Sequence, residues 1–204
     1  MSEIGSPERE RKFFGRMYDL VIPVVKMLYP MRSRGQENIP EGPALVCANH
    51  SNLVDPLLLA GAFGKRHFMH FMAKLVLSSV PLIGALLRRC GVYFVNRGHQ
   101  DIDAVRSTMR YLRRGEKVCI FPEGTRVRED NAVEAKTGAV RIAAKMSVPI
   151  VPVYIPRRKR LFSRIEILIG KPFRVEGGRS HEDFEEMADG VMEKIYELRD
   201  GTAG

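Results

Sequence analysis

The chain has 204 residues, 45% of them hydrophobic, with only 18 Gly and 12 Pro. That composition excludes a collagenous, coiled-coil or disordered chain, and the length favours one domain with a sizeable core. Thirty-three Lys and Arg against 24 Asp and Glu leave a net charge of +9, which points to an anionic partner: nucleic acid, a phospholipid surface or a phosphorylated substrate.

The opening MSEIGSPERERKFFGR is charged and has no signal-peptide pattern. Phe13 to Pro30 is apolar but interrupted by Arg16, Asp19, Pro23 and Lys26, so residues 1–34 read as an amphipathic segment suited to lying on a membrane face. No apolar stretch is long enough to span a bilayer. Residues 35–204 then alternate short apolar runs with helical patterns. Ala44–Ala48, His67–Ala73, Gly91–Val95, Val118–Phe121, Val148–Ile155 and Ile165–Ile169 read as strands covered on both faces, as in a parallel sheet. Between them, Pro56–Phe63 and Leu75–Arg89 are helix candidates, the second broken at Pro81. Ile102–Leu112 is the clearest amphipathic helix, with Ile102, Val105, Met109 and Leu112 on its apolar face and Arg106, Arg110 and Arg113 opposite. Thr137–Met146 follows, and Ser180 with Asp183 forms a capping box for a last helix carrying Phe184, Met187, Val191, Ile195 and Leu198 on one side. The pattern predicts a single-domain α/β sandwich with a central, mostly parallel (mixed) sheet flanked by helices.

Cys47, Cys90 and Cys119 are too few and too far apart for a disulfide framework or a thiolate zinc site; buried, inert thiols in a reducing compartment fit them. His67 and His70 face opposite ways on a strand and are not expected to share a metal.

The strand ALVCA runs into Asn49-His50-Ser51-Asn52-Leu53-Val54-Asp55-Pro56. A strand exit leading into a helix is the usual reactive edge of an α/β sheet. Asp55 can bend back to accept one ring N–H of His50, leaving the other nitrogen as a base, as in Ser-His-Asp sites. The spacing alone equally allows a histidine that only caps the helix start. No Gly-x-Ser-x-Gly elbow is present, which disfavours a serine hydrolase of that type. The strand VCIF ends in Phe121-Pro122-Glu123-Gly124-Thr125-Arg126, turn chemistry that presents a Glu and an Arg at the same edge, or else an ordinary surface loop. Lys74 and Arg97 follow two further strands. One base with three cations, Lys74, Arg97 and Arg126, suits an anionic substrate whose hydroxyl must lose a proton.

With these residues the chain resembles the glycerolipid acyltransferase family that includes bacterial 1-acyl-sn-glycerol-3-phosphate acyltransferase. NHSNLVD (49–55) matches the family's N-H-x4-D block, GVYFVNRG (91–98) its second block, FPEGTR (121–126) its third and VPIVPVYI (148–155) its fourth, in family order, over roughly residues 35–172. It departs from the family where Lys74-Leu75-Val76-Leu77 lacks a Glu and where Val127 replaces a common Ser. The resemblance implies a glycerol-3-phosphate acyltransferase-like fold. It implies that His50 deprotonates the sn-2 hydroxyl of 1-acyl-sn-glycerol 3-phosphate and that Asp55 holds His50. It further implies that Arg97, Arg126 and Lys74 hold the phosphate, and that Glu123, Gly124 and Thr125 shape the acceptor site. The acyl group would come from acyl-CoA or acyl carrier protein as co-substrate, with no metal and no prosthetic group, giving phosphatidic acid in phospholipid biosynthesis. Glycerol 3-phosphate or another lysophospholipid is an alternative acceptor, and a non-catalytic basic lipid-binding protein is an alternative reading.

An amphiphilic acceptor places the chain at the cytoplasmic face of a membrane, peripheral or monotopic. Arg88-Arg89, Arg113-Arg114 and Arg157-Arg158-Lys159-Arg160 would attract anionic lipid, with Leu161 and Phe162 free to insert. A nucleic-acid partner is disfavoured: the chain has no Trp and no aromatic residues interleaved with its basic ones.

Overall fold

A strand buried on both faces needs an apolar side chain at every position, and Ala44–Ala48 supplies one. This is the central strand, β2, and all five of its residues are buried. Ala44, Val46 and Ala48 point into one core with Leu58, Leu59 and Phe63. Leu45 and Cys47 point into a second core with Leu112, Ile142, Val191 and Ile195. The computed structural model describes residues 6–96, 101–130, 133–176 and 180–201. Within these, the other strands are β1 (Met31–Arg34), β3 (Met69–Lys74), β4 (Tyr93–Val95), β5 (Lys117–Ile120), β6 (Ile150–Tyr154) and β7 (Ile165–Ile169). The helices are α1 (Pro7–Leu28), α2 (Asp55–Phe63), α3 (Ile83–Arg89), α4 (Ile102–Arg113), α5 (Gly138–Met146) and α6 (His181–Asp200).

The strands form one sheet in the order β1-β7-β6-β2-β5-β3-β4. Every neighbouring pair is parallel except β6 with β7. Cys47 of β2 lies level with Ile120 of β5 and Pro152 of β6, so these three strands end together. Helices α1 and α2 line one core; α4, α5 and α6 line the other. The mostly parallel, mixed sandwich predicted from the sequence is therefore present.

Three local differences have physical causes. The sequence pattern does not reveal β1, because Met-Arg-Ser-Arg is an edge strand whose two arginines are exposed; Arg34 pairs with Glu166 at 2.6 Å. Leu75–Arg89 splits into a 3-10 turn (Leu75–Ser79) and α3, the break falling around Pro81 as expected. On α4 the buried residues are Ala104, Ser107, Thr108, Met109, Tyr111 and Leu112, so the expected apolar stripe is met at Met109 and Leu112 and corrected at Ile102 and Val105, which are exposed. Thr108 can be buried there because its hydroxyl bonds to the Ala104 carbonyl at 2.9 Å and to Tyr93 at 2.7 Å. The capping box of Ser180 and Asp183 forms in both directions at the start of α6.

Candidate active site

Strands β2 to β6 run parallel, so their carboxyl ends gather the following turns on one edge of the sheet. Asn49 ties two of these exits together. Its buried side-chain amide donates to the Ile155 carbonyl and accepts from the Ile155 N–H, both at 2.8 Å. Beyond it, the chain turns through Ser51–Val54 into α2, whose first residue is Asp55. A carboxylate there is favoured by the helix dipole. Oδ2 of Asp55 accepts from Ser51 N (2.7 Å), Asn52 N (2.8 Å) and His50 Nδ1 (2.9 Å). An ionised carboxylate only accepts, so it places the imidazole proton on Nδ1 and leaves Nε2 as the acceptor nitrogen. Nε2 makes no hydrogen bond with a described residue. The ring stacks on Phe121 with centroids 4.1 Å apart. Burial pushes the Asp55 carboxyl up, but the bonds from His50, Lys159 and the Asn52 amide outweigh it and hold the group below its ordinary range.

The Pro-Glu-Gly turn after β5 supports this pair from beneath. Glu123 is buried and accepts from the His50 backbone N–H through Oε2 at 2.6 Å. Its Oε1 is bonded by Arg157 and by the Tyr196 hydroxyl, the latter at 3.3 Å. Arg157 also binds Asp130 and the Val127 carbonyl, the latter at 2.9 Å. The Val127 N–H donates to the His50 carbonyl at 2.8 Å. Both backbone polar groups of His50 are thus fixed by the 121–127 turn. Gly124 has φ +65°, a left-handed conformation that a side chain would strain, and a Cβ there would press on Lys136.

The structure distributes the predicted residues unequally. His50, Asp55 and Glu123 are brought together and buried. Lys74, Thr125 and Arg126 are exposed at the same edge, and Lys74 and Arg126 make no ion pair among the described residues. Arg97 lies outside the described residues. Glu123 is not in a solvated charge pair with Arg126; its partner is Arg157. The expected surface cluster Arg157-Arg158-Lys159-Arg160 is corrected as well. Arg157 and Lys159 turn inward, with the Lys159 side chain fully buried, while Arg158 and Arg160 are exposed. Asn49, Arg157, Lys159 and Tyr196 are the site residues that sequence reasoning missed. The alternation of an extended segment leaving β6 is the one signal that could have separated 157 and 159 from 158 and 160. Cys47 and Cys119 are buried, and burial pushes the Cys47 thiol up to about 12 and the half-buried Cys90 thiol up to about 11, as suits unreactive thiols.

A histidine steered by an aspartate at the carboxyl edge of a mixed α/β sheet defines a class that comparison with known proteins identifies. The profile described as Acyltransferase matches residues 30–156, and the chain belongs to that family. It is 30% identical to the 1-acyl-sn-glycerol-3-phosphate acyltransferase of Bacillus subtilis, over 89% of this chain and 96% of that protein. It is 36% identical to the probable 1-acyl-sn-glycerol-3-phosphate acyltransferase of Mycoplasma pneumoniae over 58% of this chain, a match spanning about half of that relative's length (46%). Among solved structures it is similar to the 1-acyl-sn-glycerophosphate (LPA) acyltransferase PlsC of Thermotoga maritima, with a TM-score of 0.68 and 26% identity. That match covers 93% of this chain and 79% of that one.

Proposed function

We propose that this chain transfers a fatty acyl group from an acyl thioester, acyl-CoA or acyl carrier protein, to the sn-2 hydroxyl of 1-acyl-sn-glycerol 3-phosphate, giving phosphatidic acid. The observation that carries the reading is His50, with Nδ1 locked on Asp55 at 2.9 Å and Nε2 left unbonded among the described residues. The names of the relatives support the acceptor. Nε2 takes the hydroxyl proton as the oxygen attacks the thioester carbonyl. Asp55 stabilises the imidazolium, which then returns the proton to the departing thiolate. A thioester is already activated, so a base contributing about 10²–10⁴ in rate, together with positioning of the two substrates, suffices. Lys74, Arg97 and Arg126 bind the acceptor phosphate, with Thr125 beside them. Glu123 and Gly124 set the shape of the turn that carries Thr125 and Arg126.

The test is purified protein with radiolabelled acyl-CoA or acyl carrier protein and a panel of acceptors. Labelled phosphatidic acid from lysophosphatidate is the expected product. Preferred acylation of glycerol 3-phosphate would change the acceptor, and no transfer to any acceptor would overturn the reading.

The same reading places the protein at the cytoplasmic face of a membrane carrying anionic lipid. Among the described residues, no helix is long and apolar enough to cross a membrane. The outer side of α1 exposes Leu20, Val24 and Met27. Leu82 and Phe162 are 86% and 69% exposed, and both hold left-handed backbone (φ 64° and 62°), a conformation that costs a non-glycine residue about 1–3 kcal/mol. Phe162 N–H bonds to the Leu28 carbonyl at 2.6 Å, joining that loop to the end of α1. Exposed Arg88, Arg89, Arg158 and Arg160 supply the attraction, each worth about 1 kcal/mol near an anionic surface. Binding to vesicles containing phosphatidylglycerol should weaken as salt rises. Equal binding to neutral and anionic vesicles at every salt level would contradict this placement.

A further inference from the structure

Lysine is almost never fully buried without a partner. Here the side chain of Lys159 is fully buried, between two exposed arginines on a segment leaving the sheet. Its Nζ lies 2.8 Å from Asp55 Oδ1 and donates to Ser51 Oγ at 2.7 Å; Ser51 Oγ in turn donates to the Arg157 carbonyl at 3.1 Å. Asp55 Oδ2 is already engaged by His50 Nδ1 and two backbone amides. Without Lys159, Oδ1 would be a buried anionic oxygen facing no cation.

We propose that Lys159 is a positioning residue for the His50–Asp55 pair: its ammonium fixes the second oxygen of the carboxylate and offsets its charge, keeping the imidazole the proton acceptor. This rests on the reading of His50 as general base. The charged groups near the ring come from four elements: Asp55 from α2, Glu123 and Asp130 from the segment after β5, Lys159 and Arg157 from the segment after β6, and Arg199 from α6, bound to both Asp130 and Asp200. Within this set Asp55 faces Lys159 and Glu123 faces Arg157, with Phe121 against the ring face. Burial pushes the Lys159 ammonium below the ordinary lysine range while Asp55 pulls it back, and Asp55 is itself held low. Removing the ammonium leaves one uncompensated carboxylate beside the imidazole, which favours the protonated ring. A protonated ring cannot accept the proton of the acceptor hydroxyl.

Lys159→Met keeps the length and apolar stem and removes the charge. Its kcat should fall about 10- to 100-fold, the size of loss seen when the outer partner of a metal-bound histidine is removed. The acidic limb of kcat/KM against pH should move to higher pH, a change that a purely structural lysine would not produce. Lys159→Arg restores the charge and should return the limb toward its original position even where kcat recovers only in part. Ser51→Ala retains Lys159 but removes one of its two oxygen partners. It should lower kcat with a smaller limb shift in the same direction, and it decides the matter if Lys159→Met does not fold. His50→Ala runs in parallel. If that variant keeps full turnover, the general-base reading falls and takes this proposal with it. If His50→Ala is inactive while Lys159→Met, or Ser51→Ala where Lys159→Met does not fold, matches the parent in kcat and limb position, only the role of Lys159 is overturned.

Discussion

Two buried histidines in this chain each meet a carboxylate and stack on an aromatic ring: His50 with Asp55 and Phe121, His70 with Glu116 and Tyr111. They differ at the second nitrogen. His70 Nδ1 bonds to the Gly91 carbonyl at 2.8 Å while Nε2 meets Glu116 Oε2 at 3.1 Å, so both nitrogens are occupied. His50 bonds to Asp55 through Nδ1 and keeps Nε2 unbonded among the described residues. The carboxylates differ too. The far oxygen of Asp55 meets a buried lysine at 2.8 Å, whereas that of Glu116 meets Arg11, half-exposed, at 3.7 Å. Place in the sheet follows the same division. His50 sits at the exit of β2, where the turns gather, and His70 near the entry of β3, under α1. A histidine paired with a carboxylate therefore keeps one nitrogen without a partner among the described residues at one end and has both nitrogens engaged at the other.

That contrast can be broken most sharply at His50. His50→Ala should lose about 10²–10⁴ of kcat in the acyl-transfer assay. Activity surviving intact would erase the distinction. At the other end, His70→Ala removes the partner of a buried carboxylate and should cost about 3–5 kcal/mol of stability in urea unfolding, the usual size for a broken buried pair. Turnover per folded molecule should be kept; loss of turnover at full stability would assign His70 a chemical role. The third comparison is pH-dependent. The folded-state pKa of Asp55 is depressed, so its stabilisation is present above the ordinary carboxylate range, about 3.9, and is lost as pH falls through the folded value. The urea midpoint of the parent should therefore exceed that of Asp55→Asn at neutral pH, and the gap should close in acid. A gap constant from neutral pH down to acid would contradict the ion-paired carboxylate. The smallest effect belongs to Arg11→Ala. A pair at 3.7 Å whose arginine is half-exposed is worth about 0.2–1 kcal/mol, and a larger loss would mean that Arg11 clamps Glu116 more firmly than its geometry implies.

Much of this was legible in the sequence because it is governed by short-range rules. Ala44–Ala48 and Ile165–Ile169 form strands at the bounds their apolar runs predict, and the Ser180 capping box opens α6. The turn from β2 into α2 was readable because a His, an Asp and a following Pro at a strand exit are local chemistry. What escaped was set by partners far along the chain. Met31–Arg34 is a strand only because β7, more than a hundred residues later, offers it an edge. The buried face of α4 extends over Thr108, whose hydroxyl finds a partner in Tyr93.

The amino-acid sequence by itself determined the alternation of strands and helices and placed His50 within reach of Asp55, since each depends on residues a few positions apart. Only the tertiary structure decided that Glu123 grips the backbone of His50, that Arg157 and Lys159 face inward, and that Lys159 reaches Asp55. Those contacts join residues 27 to 108 positions apart, and which of several like charges ends up buried depends on the carboxylate that the folded sheet edge places opposite it.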